Sequence, residues 1–332
     1  MSKPKIGLVG YFGWGNFGDE LFIEAHKQYL SDDYNLEVVH DQLQQPYFSD
    51  SALKNLESYD GFLIGGGDLV NPNALSTLYW RDEFLKKPVF VHSIGCPNLK
   101  VKQSRTLELF HKFFSHDSVK HICLRDIESK NYFDSVINPK IETVTYPDSV
   151  FALQIPEITK KPNEKVLGVV LRSHASLVGE YQEVRKAVDE AKSIGYKVKI
   201  IVAAFGELGQ GDLKVSQDFS QLNEEIIYSN DLMELCTEIG RCSLLISMKF
   251  HVVVIGTMYQ VPVIQLSSTQ KNKNLFRYLQ RPDLIGNYRD EILYRQIPLK
   301  PAPIHSIITG KIKRDSRQGY EALKFAMDSV YM

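Results

Sequence analysis

The sequence predicts an α/β protein of two Rossmann-like domains, each a parallel sheet with helices on both faces, turned toward a central cleft. Three observations predict it. Short apolar runs alternate with helical patterns along both halves of the chain. The apolar runs end in glycine-rich or polar loops, where ligands sit on sheets of this kind. Between the halves, residues 155–164 carry Pro156 and Pro162 with adjacent lysines and little apolar content, the composition of a linker.

Composition sets the bounds. The chain has 332 residues, a formal net charge of −1, 43% hydrophobic and 24% charged residues. These values suit a soluble globular protein with room for a large core. The near-neutral balance gives no pull toward nucleic acid. No apolar run reaches the roughly eighteen residues that argue for a membrane-spanning helix. The N-terminal Met-Ser-Lys-Pro enters a strand without a signal-peptide pattern. A cytoplasmic protein is expected, with at most peripheral contact at the inner face of the membrane. Cys96, Cys123, Cys236 and Cys242 lack zinc-ligand spacing, so reduced core thiols and no metal are expected.

The first half opens on a strand, Ile6–Val9, followed by Gly10-Tyr-Phe-Gly-Trp-Gly-Asn-Phe-Gly-Asp-Glu20 and a helical pattern carrying Leu21, Phe22, Ala25 and Leu30. Gly10, Gly13, Gly15 and Gly18 let the backbone turn sharply and approach another group closely. A helix N-terminus after such a loop suits an anion. The spacing is neither the dinucleotide fingerprint nor the P-loop, so neither ligand is expected. Leu36–Val39, Tyr59–Ile64, Val89–Ser93, His121–Leu124 and Ile141–Val144 read as further strands. Four of these lead into Gly65-Gly66-Gly67-Asp68, Ser93-Ile94-Gly95, Arg125-Asp126 and Pro147-Asp148. Val101–Phe114 and a short segment ending at Phe133 have helical spacing.

In the second half, Val166–Leu171 is a buried-type strand ending in Arg172-Ser173-His174, and Leu177–Ile194 is a helix stopped by Gly195. Val198–Ala203, Leu244–Ser247 and Val261–Leu266 are strands. Asp231–Arg241 is a helix with Asn230 as its cap. Met248-Lys249-Phe250-His251 leads into a buried helix, Val252–Met258. Ser267–Lys273 is a polar loop before the helix Asn274–Leu279, and the last helix spans Ser316–Tyr331. The basic cluster Lys311, Lys313, Arg314 and Arg317 offers contact with a membrane surface.

Two α/β halves joined by a linker describe the GT-B architecture, with the carboxyl-end loops of both sheets gathered in the cleft. The second half brings Arg172, Lys249, His251 and the Lys271/Lys273 loop; the first brings the glycine loop, Asp68 and Ser93. Cations at strand ends beside helix N-termini suit a phosphate or a carboxylate. The group is stronger evidence than any member, because every member sits at the same end of a strand. Phe12, Trp14 and Phe17 offer rings to a sugar face, or anchors for the loop.

These residues carry a family resemblance. Gly13-Trp-Gly-Asn-Phe-Gly-Asp-Glu20 resembles the N-terminal signature of the polysaccharide pyruvyl transferases. Ile64-Gly-Gly-Gly-Asp68, Ser93-Ile-Gly95, Arg125-Asp126 with Ser129, Pro147-Asp148, Leu171-Arg172 and Ser247-Met-Lys-Phe-His251 resemble further family motifs, in order, over about residues 5–280. The loop Gln270–Lys273 falls where the family places a lysine. Lys249 stands where the family has arginine, which keeps the charge and loses the bidentate fork.

The resemblance implies a GT-B-like fold and transfer of pyruvate from phosphoenolpyruvate to two hydroxyls of a cell-surface sugar, giving a cyclic ketal and phosphate. The acceptor would be a polysaccharide or a lipid- or nucleotide-linked precursor. Phosphoenolpyruvate would be a co-substrate, and no cofactor is implied. Residues 1–155 would form the acceptor-side domain and residues 165–310 the donor-side domain. Residues 311–332 would be a helix able to pack back on the first domain. His251 is the expected acid/base, with Asp19 or Glu20 as base toward the acceptor, each equally suited to a helix first turn. Arg172, Lys249, Lys273 and Ser247 are expected around the donor. Gly13, Trp14, Gly15, Asn16, Gly18, Gly66, Gly67, Asp68 and Ser93 are expected on the acceptor side. Two other readings share the fold: a GT-B glycosyltransferase using a nucleotide sugar, and a non-catalytic sugar-binding protein.

Overall fold

The computed structural model describes residues 3–39, 56–159, 164–173 and 181–332. The chain divides into two compact units. Unit 1 comprises Met1–Trp14, Asp19–Leu153 and Ile312–Met332; unit 2 comprises Gly15–Gly18 and Gln154–Lys311.

Unit 1 is built on a parallel sheet of six strands in the order β2-β1-β3-β4-β5-β6. These are β1 (Lys5–Val9), β2 (Asn35–Val38), β3 (Gly61–Gly67), β4 (Val89–Ile94), β5 (Val119–Leu124) and β6 (Val144–Thr145). β3 and β4 are buried along their whole length, as the central strands of a parallel sheet must be, and this is why they read as unbroken apolar runs. The helices are α1 (Phe17–Leu30), α2 (Arg105–Phe114) and α3 (Ile127–Tyr132). α2 starts later than its spacing predicts, because Ser104 accepts the Leu107 N–H and caps it there. It buries Leu107, Phe110, Phe113 and Phe114, and the Trp80 ring meets the last three edge-on.

Unit 2 is a second parallel sheet, in the order β11-β10-β7-β8-β9. Its strands are β7 (Val166–Val170), β8 (Lys197–Ile201), β9 (Glu225–Ile227), β10 (Leu244–Ser247) and β11 (Val263–Gln265). Its helices are α4 (Gln182–Ser193), α5 (Gly206–Phe219), α6 (Leu232–Arg241), α7 (Phe250–Met258), α8 (Gln270–Tyr278) and α9 (Leu293–Leu299). The expected start of α4 at Leu177, and His174, lie outside the described residues. Every residue of α7 is buried, as its largely apolar sequence predicts.

Several boundaries correct the sequence reading. α5, β9 and α9 are not foreseen. In α5, Gly206, Gly209 and Gly211 lower helix propensity. Gly209 is needed for packing, since a Cβ there would lie 2.8 Å from the Ala204 carbonyl oxygen. The cap of α6 is Asp231, not Asn230; its carboxylate accepts the Met233 and Glu234 N–H groups at 2.8 and 3.2 Å. α8 begins at Gln270, which puts Lys271 and Lys273 on a first helical turn instead of in a loop. The last helix, α10, spans Ser306–Tyr331, beginning well before the predicted Ser316 because Gly310 does not break it. Its unit 1 portion is tied down by Ser316 Oγ donating to the Asp148 carbonyl at 3.0 Å and by the Lys324–Asp33 ion pair.

All four cysteines are buried and free of disulfides. Among the described residues no helix is long and apolar enough to cross a membrane.

Candidate active site

In unit 2 the predicted donor residues Arg172, Ser247 and Lys249 lie where β7 and β10 end, while Lys273 follows β11. Ser247 closes β10 with a turn of its own: its hydroxyl accepts the Lys249 N–H at 3.0 Å and contacts the Lys249 carbonyl at 3.1 Å. Ser247 is fully buried and serves the loop backbone. The Lys249 side chain turns to α5, where its ammonium lies 2.5 Å from Asp212 Oδ2 and 2.9 Å from the Ala203 carbonyl. Asp212 also accepts the Ser173 N–H at 2.6 Å. One buried carboxylate therefore fixes both the Lys249 loop and the strand end that carries Arg172. The Arg172 side chain is exposed, and its carbonyl accepts the Tyr181 hydroxyl.

His251 sits in the first turn of α7, buried, with the Phe250 ring edge-on at 5.0 Å. Lys271 reaches over the Phe250 ring at 5.5 Å, a cation–π placement. Lys273 is exposed on the same helix. Gly15–Gly18, which belongs to this unit, lies against the segments that follow β8 and β10. The Phe205 N–H donates to the Gly15 carbonyl at 2.7 Å, and Asn16 bridges Ala204. Gly15 has φ +73°, and a Cβ there would lie 2.2 Å from the Phe205 carbonyl oxygen. At Gly18 a Cβ would lie 1.8 Å from His251 Nδ1. Two of these glycines are therefore fixed by close approach, and one of them by the imidazole itself.

Unit 1 has its own polar centre at the strand ends. Arg125 is buried and ion-paired to Asp68, with Asp148 at 3.6 Å and Asp126 at 4.0 Å. Burial works against its charge, yet Asp68, Asp148 and Asp126 raise the guanidinium above its usual value. Asp126 is pushed up by burial despite Arg125, and it caps α3 through the Ser129 N–H. A Cβ on Gly95 would lie 2.8 Å from Arg125 Nε. Ser93, at φ 58°, accepts the Ser149 N–H at 3.0 Å. Glu20 accepts the Gly13 N–H at 2.8 Å and so closes the glycine loop on itself. Phe12 and Phe17 are core anchors with no ring for a sugar, while Trp14 is half-buried and stacks on Tyr11 at 5.3 Å.

The sequence matches the polysaccharide pyruvyl transferase family over residues 16–269. The protein belongs to that family. Comparison with curated proteins finds no match. Solved structures share the fold at low identity. The UDP-GlcNAc 2-epimerase of Neisseria meningitidis, bound to UDP-GlcNAc, aligns with TM-score 0.59 and 13% identity over 96% of this chain and 99% of that one. Anabaena HepE in complex with UDP-glucose aligns with TM-score 0.56 and 12% identity over 98% and 100%. The glycosyltransferase of kitacinnamycin aligns with TM-score 0.50 and 12% identity over 100% and 99%. The fold is thus α/β with two parallel sheets, like that of GT-B glycosyltransferases and epimerases.

For a member of the pyruvyl transferase family the motif residues divide into two kinds. Asp68, Ser93, Gly66 and Gly67 belong to the unit 1 frame; Gly66 at φ +82° lies over the Phe22 ring. Gly15, Asn16, Gly18, Ser247, Lys249 and His251 meet in unit 2. Asp212 was missed by sequence reasoning because it lies in the unforeseen glycine-rich helix. Gln265 was missed too. It is fully buried at the end of β11, register partner of Ser247, and neither of its amide atoms has a hydrogen-bond partner among the described residues.

Proposed function

We propose that this transferase moves pyruvate from phosphoenolpyruvate to two hydroxyls of a sugar in a cell-surface polysaccharide or its lipid- or nucleotide-linked precursor. One observation carries the reading: the Gly18 backbone lies directly against the His251 imidazole, so the N-terminal glycine signature and the Ser-x-Lys-x-His motif build one point in unit 2. Arg172, Lys249 and the first turn of α8, with Lys271 and Lys273, supply cations for a small anion carrying both a phosphate and a carboxylate. The Gln265 amide supplies neutral donor capacity.

In the proposed chemistry His251 delivers a proton to the methylene carbon of the enol. The adjacent carbon becomes electrophilic and bonds to the first sugar hydroxyl. Its bond to the phosphate oxygen breaks, and the second hydroxyl closes the ketal. Two hydroxyl protons are lost; one ends on the new methyl group and the other on phosphate. Fixed cations stabilise the departing charge. The candidate base toward the acceptor is Asp19 or Glu20, both in the first turn of α1. No redox cofactor enters the scheme. Lys249, held by Asp212, acts as a positioned point charge where the family's arginine would offer a fork.

Thermal melting with phosphoenolpyruvate, set beside UDP- and GDP-sugars, tests the donor first. A ligand at a hundred times its dissociation constant adds roughly 2.7 kcal/mol. Stabilisation by phosphoenolpyruvate that disappears in Arg172→Ala is expected. Stabilisation by a nucleotide sugar alone, with a glycosylated product by mass, would replace this reading with a glycosyltransferase. Phosphate release with a sugar acceptor should fall at least about a hundredfold in His251→Ala; a change of only a few-fold would remove His251 from the acid/base role.

A further inference from the structure

Unit 1 holds a second cluster of reactive side chains, inside the core beneath the strand-end loops. His92 lies on β4, and His121 and Cys123 lie two residues apart on the neighbouring β5. The pairing of β4 with β5 is irregular after Val91. One donor atom from each of the three side chains falls within 4.8 Å of the others. All three residues are buried: His92 and Cys123 are 1% exposed and His121 is 7% exposed. His92 Nδ1 and His121 Nε2 are 3.4 Å apart. Beside them stand His26, its ring 6.4 Å from that of His92, and Tyr320, at 5.2 Å from the same ring. Tyr320 hydrogen-bonds His26 Nδ1 at 3.0 Å, and the buried His26 Nε2 has no partner among the described residues.

From this cluster we propose that His92, His121 and Cys123 form a buried binding site for one thiophilic closed-shell metal ion, zinc(II) or copper(I). Two imidazoles and a sulfur are the donor set such ions select, whereas magnesium and calcium require oxygen ligands. The separation also fits. Two nitrogens bound tetrahedrally at about 2.0–2.1 Å stand roughly 3.4 Å apart, which is the separation of the two ring nitrogens. Without metal, burial lowers His121 to about 4 and His92 well below its usual value, and raises Cys123 to about 12, so the cluster is uncharged. Coordination replaces the Cys123 S–H bond with a metal–sulfur bond and releases one proton to solvent. One thiolate neutralises copper(I). Zinc(II) needs a fourth ligand, a role open to hydroxide or to His26. The metal would pin β4 to β5 directly below Ser93, whose positive φ and bond to Ser149 shape the adjacent loop. The sequence gives no sign of this site, because its ligands come from two strands and share no spacing motif.

The test is metal content of the full chain expressed in medium supplemented with zinc or with copper and purified without a metal column. One equivalent per chain in at least one arm, with a raised melting temperature over chain grown without the metal, is expected; occupancy in one arm alone identifies the ion. Cys123→Val and His121→Phe, which keep the buried volume apolar, should each lose the metal. Cobalt(II)-loaded wild type gives a readout that does not depend on the variants folding: a thiolate-to-cobalt charge-transfer band is expected. Folded wild type carrying less than about a tenth of an equivalent in both arms would overturn the site. Unchanged metal content in both folded variants, or cobalt binding without the thiolate band, would do the same. None of these readouts involves pyruvyl transfer, so their outcome is independent of the transferase reading.

Discussion

Gly18 is a helix residue, and by propensity alone alanine would improve it by about 1 kcal/mol. The structure reverses that expectation, because a Cβ at this position would lie 1.8 Å from His251 Nδ1. Gly18→Ala must displace the imidazole, and misplacement by about 1 Å is enough to cost a hundredfold in turnover. We expect kcat/KM for phosphate release to fall by about that factor with circular dichroism unchanged. Near-wild-type turnover would mean that this approach is not part of the site. Arg125 makes a different argument. It stands among Asp68, Asp126 and Asp148, so removing it leaves buried carboxylates without their cation. Arg125→Met should destabilise the protein by about 3–5 kcal/mol in urea unfolding. Arg125→Lys should recover only part of this, having one ammonium for several carboxylates.

At the scale of elements, strand ends and helix starts decide which side chains can act. β10 stops at Ser247, whose hydroxyl closes the turn, and α7 starts at Phe250; the short gap leaves Lys249 on a loop and His251 on a first helical turn. The cap of α6 offers a clean check of local bonding. Asp231 carries the cap and Asn230 does not, so Asp231→Ala should cost about 1 kcal/mol in thermal or urea unfolding, while Asn230→Ala should stay near wild type. The reverse order would contradict the assigned boundary. Asx residues in tandem are both competent caps in sequence; the backbone conformation selects one of them.

For the whole molecule, charge pairing sets the response to acid. The Glu224 side chain is covered by Arg185 and Lys192; desolvation opposes its charge, but hydrogen bonds from those two cations outweigh this and hold it below the ordinary 4.5. Glu238 behaves alike, its burial offset by Lys199 and Arg241. A carboxyl whose folded value is depressed contributes stability above its unfolded value, and that contribution is lost as pH falls through the folded one. Urea unfolding followed by pH should therefore show stability declining below about pH 4.5, with a shallower decline in Glu224→Gln. An identical slope in that variant would show that this pair does not govern the acid limb.

The alternation of strands and helices, the all-buried α7 and the position of Lys249 and His251 at a strand–helix junction were legible in the sequence. Each is a local pattern: hydrophobic period, run length and a polar break repeat within a few residues. The family motifs were legible for the same reason, as short strings at strand ends. The division of those motifs between the two units was not, because it depends on partners far apart in the chain. Asp68 pairs with Arg125, Glu20 closes on Gly13, Lys249 is held by Asp212, and Gly18 yields its space to His251. Nor could the sequence bring His92 beside His121 and Cys123, since lateral register between strands belongs to the sheet. Local pattern fixed most of the elements; tertiary packing alone decided which polar groups meet, because a buried polar group takes its role from what completes its bonding.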